Sequence, residues 1–600
     1  MNKKLKYLVL TLVIFCGIIF SNLFLQWCQN ELSIDLAIKF AFSWHTEKFF
    51  LASLVLLILF IFLASLAGSL IAGASFYSLF ITIIGVATYL KMSFRQEPVY
   101  PDDLQMVTQL GFFREVIGTG PFVFVLILII AVGLLFIYQL YRSFFLAKNT
   151  QILRVMMLCL SSLGLVYISH FNDESNLLRK GYDQTALWIP YSQEMNYYNV
   201  GFVGGFLYNL RVDAMKEPDG YSQEAIADIT EKYQEEVEPA ESKDQPNIVY
   251  VMSESFSDPE HMQGLSVSGN PLKEYYDLAE QTYSGKMLSQ NYGGGTANIE
   301  FEALTSFSME LLNPQMTTPY TMLIPKMDDL PSLVSLTKDR GYDATAIHPY
   351  DTSMYKRQDV YSILGFDRFI DQDSMDYTQT IENNPYISDE AAYQQILDQL
   401  QEEKTPQFFH LVTMQTHMPY EGKYDNVDYQ VSGNDNNRNV EHYLQDIHYS
   451  GKALKDFTQK LEKLPERTLV VFWGDHLPGI YSDQLQEQND EANLHQTEFL
   501  MVDSKKDLQH EEGEVTSPFY FGPNLFEKAG LQSTPFYELL LDLEDILPAF
   551  EARMYVDNDK QFHEELELNK KQQEIYQDYR LIQYDILQGE QYSLENDFFN

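Results

Sequence analysis

The chain has 600 residues, with 41 Lys and Arg against 84 Asp and Glu, and a formal charge of −43. The charge is unevenly divided: residues 1–171 carry 11 basic and 7 acidic side chains, the remaining residues 30 and 77. So acidic a polar part repels a phosphate backbone, which argues against nucleic acid as a partner, and the length is that of two or three folded units.

In chain order, five apolar stretches come first, roughly Leu5–Leu25, Phe49–Ile71, Gly73–Leu90, Pro121–Tyr141 and Ile152–Ile168. Each approaches the roughly 20 residues a helix needs to cross a bilayer. The second and third are nearly continuous, and Ala72-Gly73 is the expected turn between them. So many segments within the first part argue against a cleaved secretory signal followed by buried core helices. Lys3, Lys4 and Lys6 precede the first stretch, and Arg142, Lys148 and Arg154 lie between the fourth and fifth. Both places are cytoplasmic if the N-terminus is inside. Everything after about residue 170 is then outside, as are the loops Trp27 to Lys48 and Met92 to Gly120. Cys16, Cys28 and Cys159 lie in or beside the apolar stretches, and residues 160–600 have no cysteine. The second part therefore forms neither disulfides nor thiolate metal sites.

Residues 172–245 read as an extracellular linker with helical patches such as Ser222–Glu236. Glu235 to Asp244 is charged and has no apolar face. A folded domain is expected over 246–556, followed by a charged, helix-prone tail over 557–600. Short apolar runs at Ile248–Met252, Ala344–Ile347, Phe408–Thr413 and Thr468–Trp473 have the pattern of buried strands. Helical patterns at Leu330–Arg340, Asp389–Gln401 and Val440–Leu464 lie between them. Strands alternating with helices predict an α/β fold with a largely parallel sheet. Ligands in such sheets sit beyond the C-terminal ends of the strands.

Polar clusters follow those ends. The 248–252 run leads into Ser253-Glu254-Ser255-Phe256-Ser257-Asp258, and the 468–473 run into Gly474-Asp475-His476. Between them lies Gly293-Gly294-Gly295-Thr296-Ala297-Asn298-Ile299-Glu300-Phe301. Two carboxylates, an imidazole and a hydroxyl can thus meet at one sheet edge, a set that suits a divalent cation such as Mn²⁺ or Zn²⁺. A threonine oxygen on such an ion loses its proton more easily and becomes a nucleophile. The glycines permit a tight turn before a helix expected near Asn298, whose N-terminus would favour a phosphate. No Gly-Lys-Ser/Thr follows them, so the segment is not a P-loop.

Taken together, Met252-Ser253-Glu254-Ser255, Gly295-Thr296 with Glu300-Phe301, and Trp473-Gly474-Asp475-His476 resemble the lipoteichoic acid synthase family of the alkaline phosphatase and sulfatase superfamily. The resemblance covers nearly the whole chain. It implies a polytopic α-helical membrane domain of five spans (residues 1–171) and an extracellular α/β sulfatase-like domain. It also implies that Glu254, Thr296, Asp475 and His476 hold one metal ion, usually Mn²⁺, with Mg²⁺ and Zn²⁺ as alternatives, and that Thr296 is the nucleophile. His348, Arg357 and His417 resemble the family's substrate pocket, and each histidine follows an expected strand. Arg357 would bind phosphate in fork geometry. Tyr355 stands where the family's polymerase has a tryptophan, and Ala297-Asn298-Ile299 replaces a more hydroxyl-rich stretch. The loop Glu97-Pro98…Pro101-Asp102-Asp103 and Ser255-Phe256-Ser257-Asp258 look closer to relatives that decorate wall polysaccharides with glycerol phosphate.

The implied reaction moves glycerol phosphate from phosphatidylglycerol to a glycolipid or cell-wall polymer through a covalent threonine intermediate, with His417 or His348 relaying the proton. The rivals are a phosphoethanolamine transferase or sulfatase of the same superfamily, and a non-catalytic sulfatase-like regulatory membrane protein. Thr at the nucleophile position and the lack of Cys after residue 159 oppose a sulfatase. Retention of every expected ligand opposes the regulatory reading.

Overall fold

The computed structural model describes residues 3–95, 98–101, 103, 119–145, 147–173, 175–189, 193–239, 244–351, 354–510, 514–551 and 553–600. The chain forms two compact units, Met1–Val212 and Asp213–Asn600.

Among the described residues, the first unit contains five helices long and apolar enough to cross a membrane: Leu8–Gln29, Thr46–Ala67, Leu70–Ser93, Val123–Ser143 and Lys148–Ser169. The turn between the second and third lies at Gly68-Ser69, not at the expected Ala72-Gly73. Gly68 closes its helix in the left-handed conformation (φ +64°), and a Cβ there would stand 2.3 Å from Ser143 Cβ. Gly73 lies inside the next helix, packed so closely that a Cβ on it would stand 2.4 Å from Ala64 Cα. Small residues on facing helices allow this closeness, and it hides the stop signal from a reading of composition. Most of the expected Met92 to Gly120 loop, Arg114 included, lies outside the described residues. Residues beyond the last span also belong to this unit. Helices Leu177–Asp183 and Gln193–Tyr208 bury Tyr182, Tyr197 and Tyr208. Lys48 donates to the carbonyls of Thr185 and Asn199.

The second unit is built on an eight-stranded sheet. Its strands are β1 (Asn247–Ser253), β2 (Tyr283–Leu288), β3 (Asp343–His348), β4 (Arg368–Asp371), β5 (Gln407–Val412), β6 (Thr468–Gly474), β7 (Gln496–Asp503) and β8 (Glu514–Thr516). The order across the sheet is β8-β2-β7-β6-β1-β5-β3-β4, and β7 alone runs against its neighbours. β1, β5 and β6 are buried along their whole length, as expected of central strands covered on both faces. The covering helices are amphipathic. Asn437–Leu461 buries Val440, Tyr443, Leu444, Ile447, Leu454, Phe457 and Leu461 at helical spacing. Its Phe457 stacks on Tyr393 of the helix Asp389–Glu402 at 4.5 Å. That second helix is started by the Ser388 side chain, which accepts from the Ala391 amide, and by two acidic residues in its first turn.

The segments before and after the sheet pack onto this unit. Helix Gln223–Glu236 packs on Pro535–Glu544, which in turn packs on Lys570–Leu587. The Tyr221 hydroxyl donates to Asp585 Oδ1 at 2.6 Å. The charged stretch over 557–600 thus includes a helix whose inner face, with Tyr579, Ile582 and Ile586, is core.

Candidate functional site

β1 and β6 are parallel neighbours, with Ser253 beside Gly474 in register. The residues that follow them, Glu254 and Asp475-His476, are thereby delivered side by side at one sheet edge. The crossing is tight. The Ser255 amide donates to Asp475 Oδ1 at 2.7 Å, and a Cβ on Gly474 would stand 1.7 Å from the Phe256 carbonyl oxygen. Only glycine fits there. The glycine loop is brought to the same edge by a bridge between Tyr292 and Leu477. Gly295 is left-handed (φ +90°), and a Cβ on it would collide with the Asn291 amide at 1.7 Å. The helix begins at Thr296 rather than near Asn298, so the hydroxyl is carried on its first residue.

Glu254, Asp475 and His476 place one ligand atom each within 4.8 Å of one another, all buried. Thr296 Oγ1 lies 3.4 Å from Glu254 Oε2 and 3.5 Å from His476 Nε2. His476 Nδ1 bonds the Leu477 carbonyl at 2.9 Å, which puts the proton on Nδ1 and turns the Nε2 lone pair toward the carboxylates. Among the described residues Asp475 Oδ2 is buried with no hydrogen-bond partner, His476 Nε2 standing 3.4 Å away. Burial, and then the Glu254 charge, push the Asp475 carboxyl up to about 6. Burial also opposes ionisation of Glu254, but His417 and His476 hold that carboxyl below the usual range. Two crowded carboxylates, an orphaned oxygen and an imidazole lone pair converge on one point. That donor set fits a divalent cation.

The remaining expected residues fall around this cluster. His348 ends β3, donates from Nδ1 to the Val412 carbonyl at 3.0 Å, and accepts on Nε2 from Arg357 Nη1 at 3.2 Å. Burial and Arg357 push its pKa down to about 3, so it is neutral. Arg357 is 1% exposed, and its Nε and Nη2 both bond Glu300 Oε2, at 3.2 and 2.8 Å. The fork expected for phosphate is thus turned onto a carboxylate, because a buried guanidinium needs a paired anion. Tyr355 lies against the guanidinium, its ring centroid 5.3 Å away. His417 is half-buried. Its Nδ1 bonds the Met418 carbonyl at 2.7 Å, its ring sits beside Tyr386, and among the described residues Nε2 has no partner.

Sequence reasoning gave no role to three residues that build this site. Glu300 also takes bonds from Tyr361 and His410, one turn below Thr296. The readable signal was its place four residues after the hydroxyl, on the same helix face. Lys423 is buried and donates to the carbonyls of Gln415 and His417 and to Asp446 Oδ2, at 2.7, 2.8 and 2.6 Å. Asp446, on the Asn437–Leu461 helix, completes that anchor, and nothing local in the sequence marks it.

The sulfatase family profile matches residues 246–531. The chain is 28% identical over 534 residues to a putative cyclic beta-1,2-glucan modification protein of Rhizobium meliloti, covering 85% of this chain and 81% of that one. It is 22% identical over 322 residues to lipoteichoic acid synthase 2 of Bacillus subtilis, covering 51% and 46%. Among solved structures it is similar to the Streptococcus pyogenes phosphoglycerol transferase GacH in complex with sn-glycerol-1-phosphate. That match has a TM-score of 0.57 and 28% identity over 64% of this chain and 99% of that one. A sulfatase domain over residues 246–531, preceded by five membrane-length helices among the described residues, makes the chain similar in build to the lipoteichoic acid synthases and to GacH.

Proposed function

We propose that the protein transfers glycerol phosphate from phosphatidylglycerol to a glycolipid or cell-wall polymer, with Thr296 as nucleophile. The observation that carries this reading is the Thr296 hydroxyl at a helix N-terminus, 3.4–3.5 Å from two members of a buried Glu-Asp-His cluster. Glu254, Thr296, Asp475 and His476 are the residues to hold the ion, and Mn²⁺ is the ion proposed, to be tested against Mg²⁺ and Zn²⁺. Bound there, it would lower the proton affinity of the Thr296 hydroxyl and offset charge on the phosphoryl oxygens. The membrane unit would keep the site near its lipid donor. Lys3, Lys4, Lys6, Arg142, Lys148 and Arg154 support a cytoplasmic N-terminus and an extracellular second unit.

In the first step Thr296, its proton released to solvent, forms a bond from Oγ to phosphorus. The bond from phosphorus to the diacylglycerol oxygen breaks, and that oxygen takes a proton from His417. In the second step an acceptor hydroxyl gives its proton back to His417 and bonds to phosphorus. The Thr296–phosphorus bond breaks, and Thr296 regains a proton from solvent. His417 is preferred over His348 for a geometric reason. Both nitrogens of His348 are engaged, whereas among the described residues Nε2 of His417 has no partner. Tyr355 would flank the glycerol, and Arg357 would contribute positive charge from behind His348.

The test is incubation of the whole protein with labelled phosphatidylglycerol and Mn²⁺. Mass spectrometry should find a glycerolphosphoryl adduct on Thr296, and Thr296→Ala should lose several orders of magnitude in rate. An ethanolamine phosphate adduct would keep the mechanism and change the donor. Near-normal turnover by Thr296→Ala would end the covalent reading.

A further inference from the structure

Among the described residues of Asp213–Asn600, two large hydrophobic side chains stand exposed, Met418 at 49% and Leu594 at 36%. Met418 directly follows His417 at the mouth of the site. A run of rings reaches the same place. His348 and Tyr350 are 6.1 Å apart, Tyr350 and Tyr386 6.1 Å, and Tyr386 and His417 5.5 Å, each pair edge to face. Tyr350 and Tyr386 are half-buried. The Tyr386 hydroxyl is spent on the Met418 carbonyl at 2.7 Å and on His417 Nδ1 at 3.1 Å. What that residue offers a ligand is therefore its ring.

An isolated thioether and two phenol rings suit a small amphipathic ligand, one with C–H faces for the rings and hydroxyls for the water around them. An acyl chain would need a longer continuous apolar surface than one exposed thioether supplies. A polyanion is opposed by charge, because residues 213–600 hold 27 Lys and Arg against 73 Asp and Glu. The ligand that must come closest to His417, after the donor, is the acceptor that presents a hydroxyl to phosphorus. We propose that Tyr350, Tyr386 and Met418 form the acceptor subsite and that it takes a neutral sugar ring. This rests on the phosphoglycerol transferase reading and gives its acceptor a chemical class.

The experiment uses the whole protein with labelled phosphatidylglycerol and Mn²⁺. It compares neutral oligosaccharides, both β-glucans and N-acetylhexosamine oligomers, with oligo(glycerol phosphate) as acceptors. Label should pass to a neutral sugar. Tyr350→Ala and Met418→Ala should each raise the KM for that sugar about fivefold to tenfold with a smaller effect on kcat, and Tyr350→Trp should restore it. An unchanged KM in both variants overturns the subsite. So does label passing only to water, or in preference to oligo(glycerol phosphate). Failure of the unaltered protein to release diacylglycerol is a different result, and it overturns the transferase reading itself.

Discussion

Glu300 lies one helical turn from Thr296 and is wholly buried, with Arg357, His410 and Tyr361 all bonded to its carboxylate. Burial works against its charge, but the Arg357 guanidinium wins and holds the carboxyl well below the usual range. The stability this lends is present above the ordinary value of 4.5 and is lost only in strong acid. Removing one partner of a buried pair typically costs about 3–5 kcal/mol, because the other charge is left without compensation. Glu300→Ala should destabilise the unit by that amount in thermal unfolding, and a loss below about 1 kcal/mol would show that the pair behaves like a surface one. At this scale, strand-ending residues were the most legible. Glu254, Asp475 and His476 each follow a continuous apolar run that stops abruptly, and the parallel register then brings them together. Arg357 was legible as a site residue but not in its orientation, since sequence shows a cation and not the anion it faces.

Between β5 and the short strand Gln430–Ser432, the loop carrying His417 has no helix or strand of its own. It is held by hydrogen bonds from elsewhere. Lys423 ties two of its carbonyls to Asp446, Asn384 donates to the Gln415 carbonyl at 3.0 Å, and Thr416 donates to the Glu254 carbonyl. The loop is thus fixed both to the cluster and to the covering helix. Burial pushes Asp446 up to about 6, against the pull of Lys423. In Lys423→Met the carboxyl can take up a proton, so the fold should survive while the loop loosens. The expected outcome is normal metal content with kcat reduced roughly 10–100-fold, the range typical of supporting-shell losses. Loss of metal together with activity would assign Lys423 to the ligand cluster instead. These ties were invisible beforehand for a physical reason. Main-chain carbonyls carry no residue identity, and Asp446 gains its role only from the face its helix turns inward. The helical tendency of 557–600 was legible, but the core face of the 570–587 helix was hidden in the same way: its charged positions dominate the composition, and that face emerges only against Pro535–Glu544.

Across the whole molecule, an excess of carboxylates brings several into the interior without a cation. Glu302, on the Thr296 helix, and Glu551 are both wholly buried beside each other. Burial raises Glu302 to about 8 and Glu551 well above its ordinary value. Burial likewise raises Glu544 to about 8 and Asp389 to about 7. Each of these folded-state values lies above its unfolded one. The stability they contribute is therefore fully present below about pH 4.5 and is lost as pH rises through about 8. The unfolding temperature should fall between about pH 5 and pH 8.5, and Glu302→Gln should flatten that fall. An equally steep decline in the variant would acquit the pair.

The place of β1 in the sheet also bears on how the domain is made. Its neighbours on either side come from residues 407–412 and 468–474, so the strand that opens the domain is completed only long after it has been made. Ser255 waits for Asp475, 220 positions later, before the cluster can exist. Such distant pairing folds slowly, because the chain entropy of closing the loop is lost before any contact rewards it. A ribosome therefore reaches residue 474 before the first strand of the sheet is sheltered on both sides. That is the interval in which a holding chaperone would find the newborn chain.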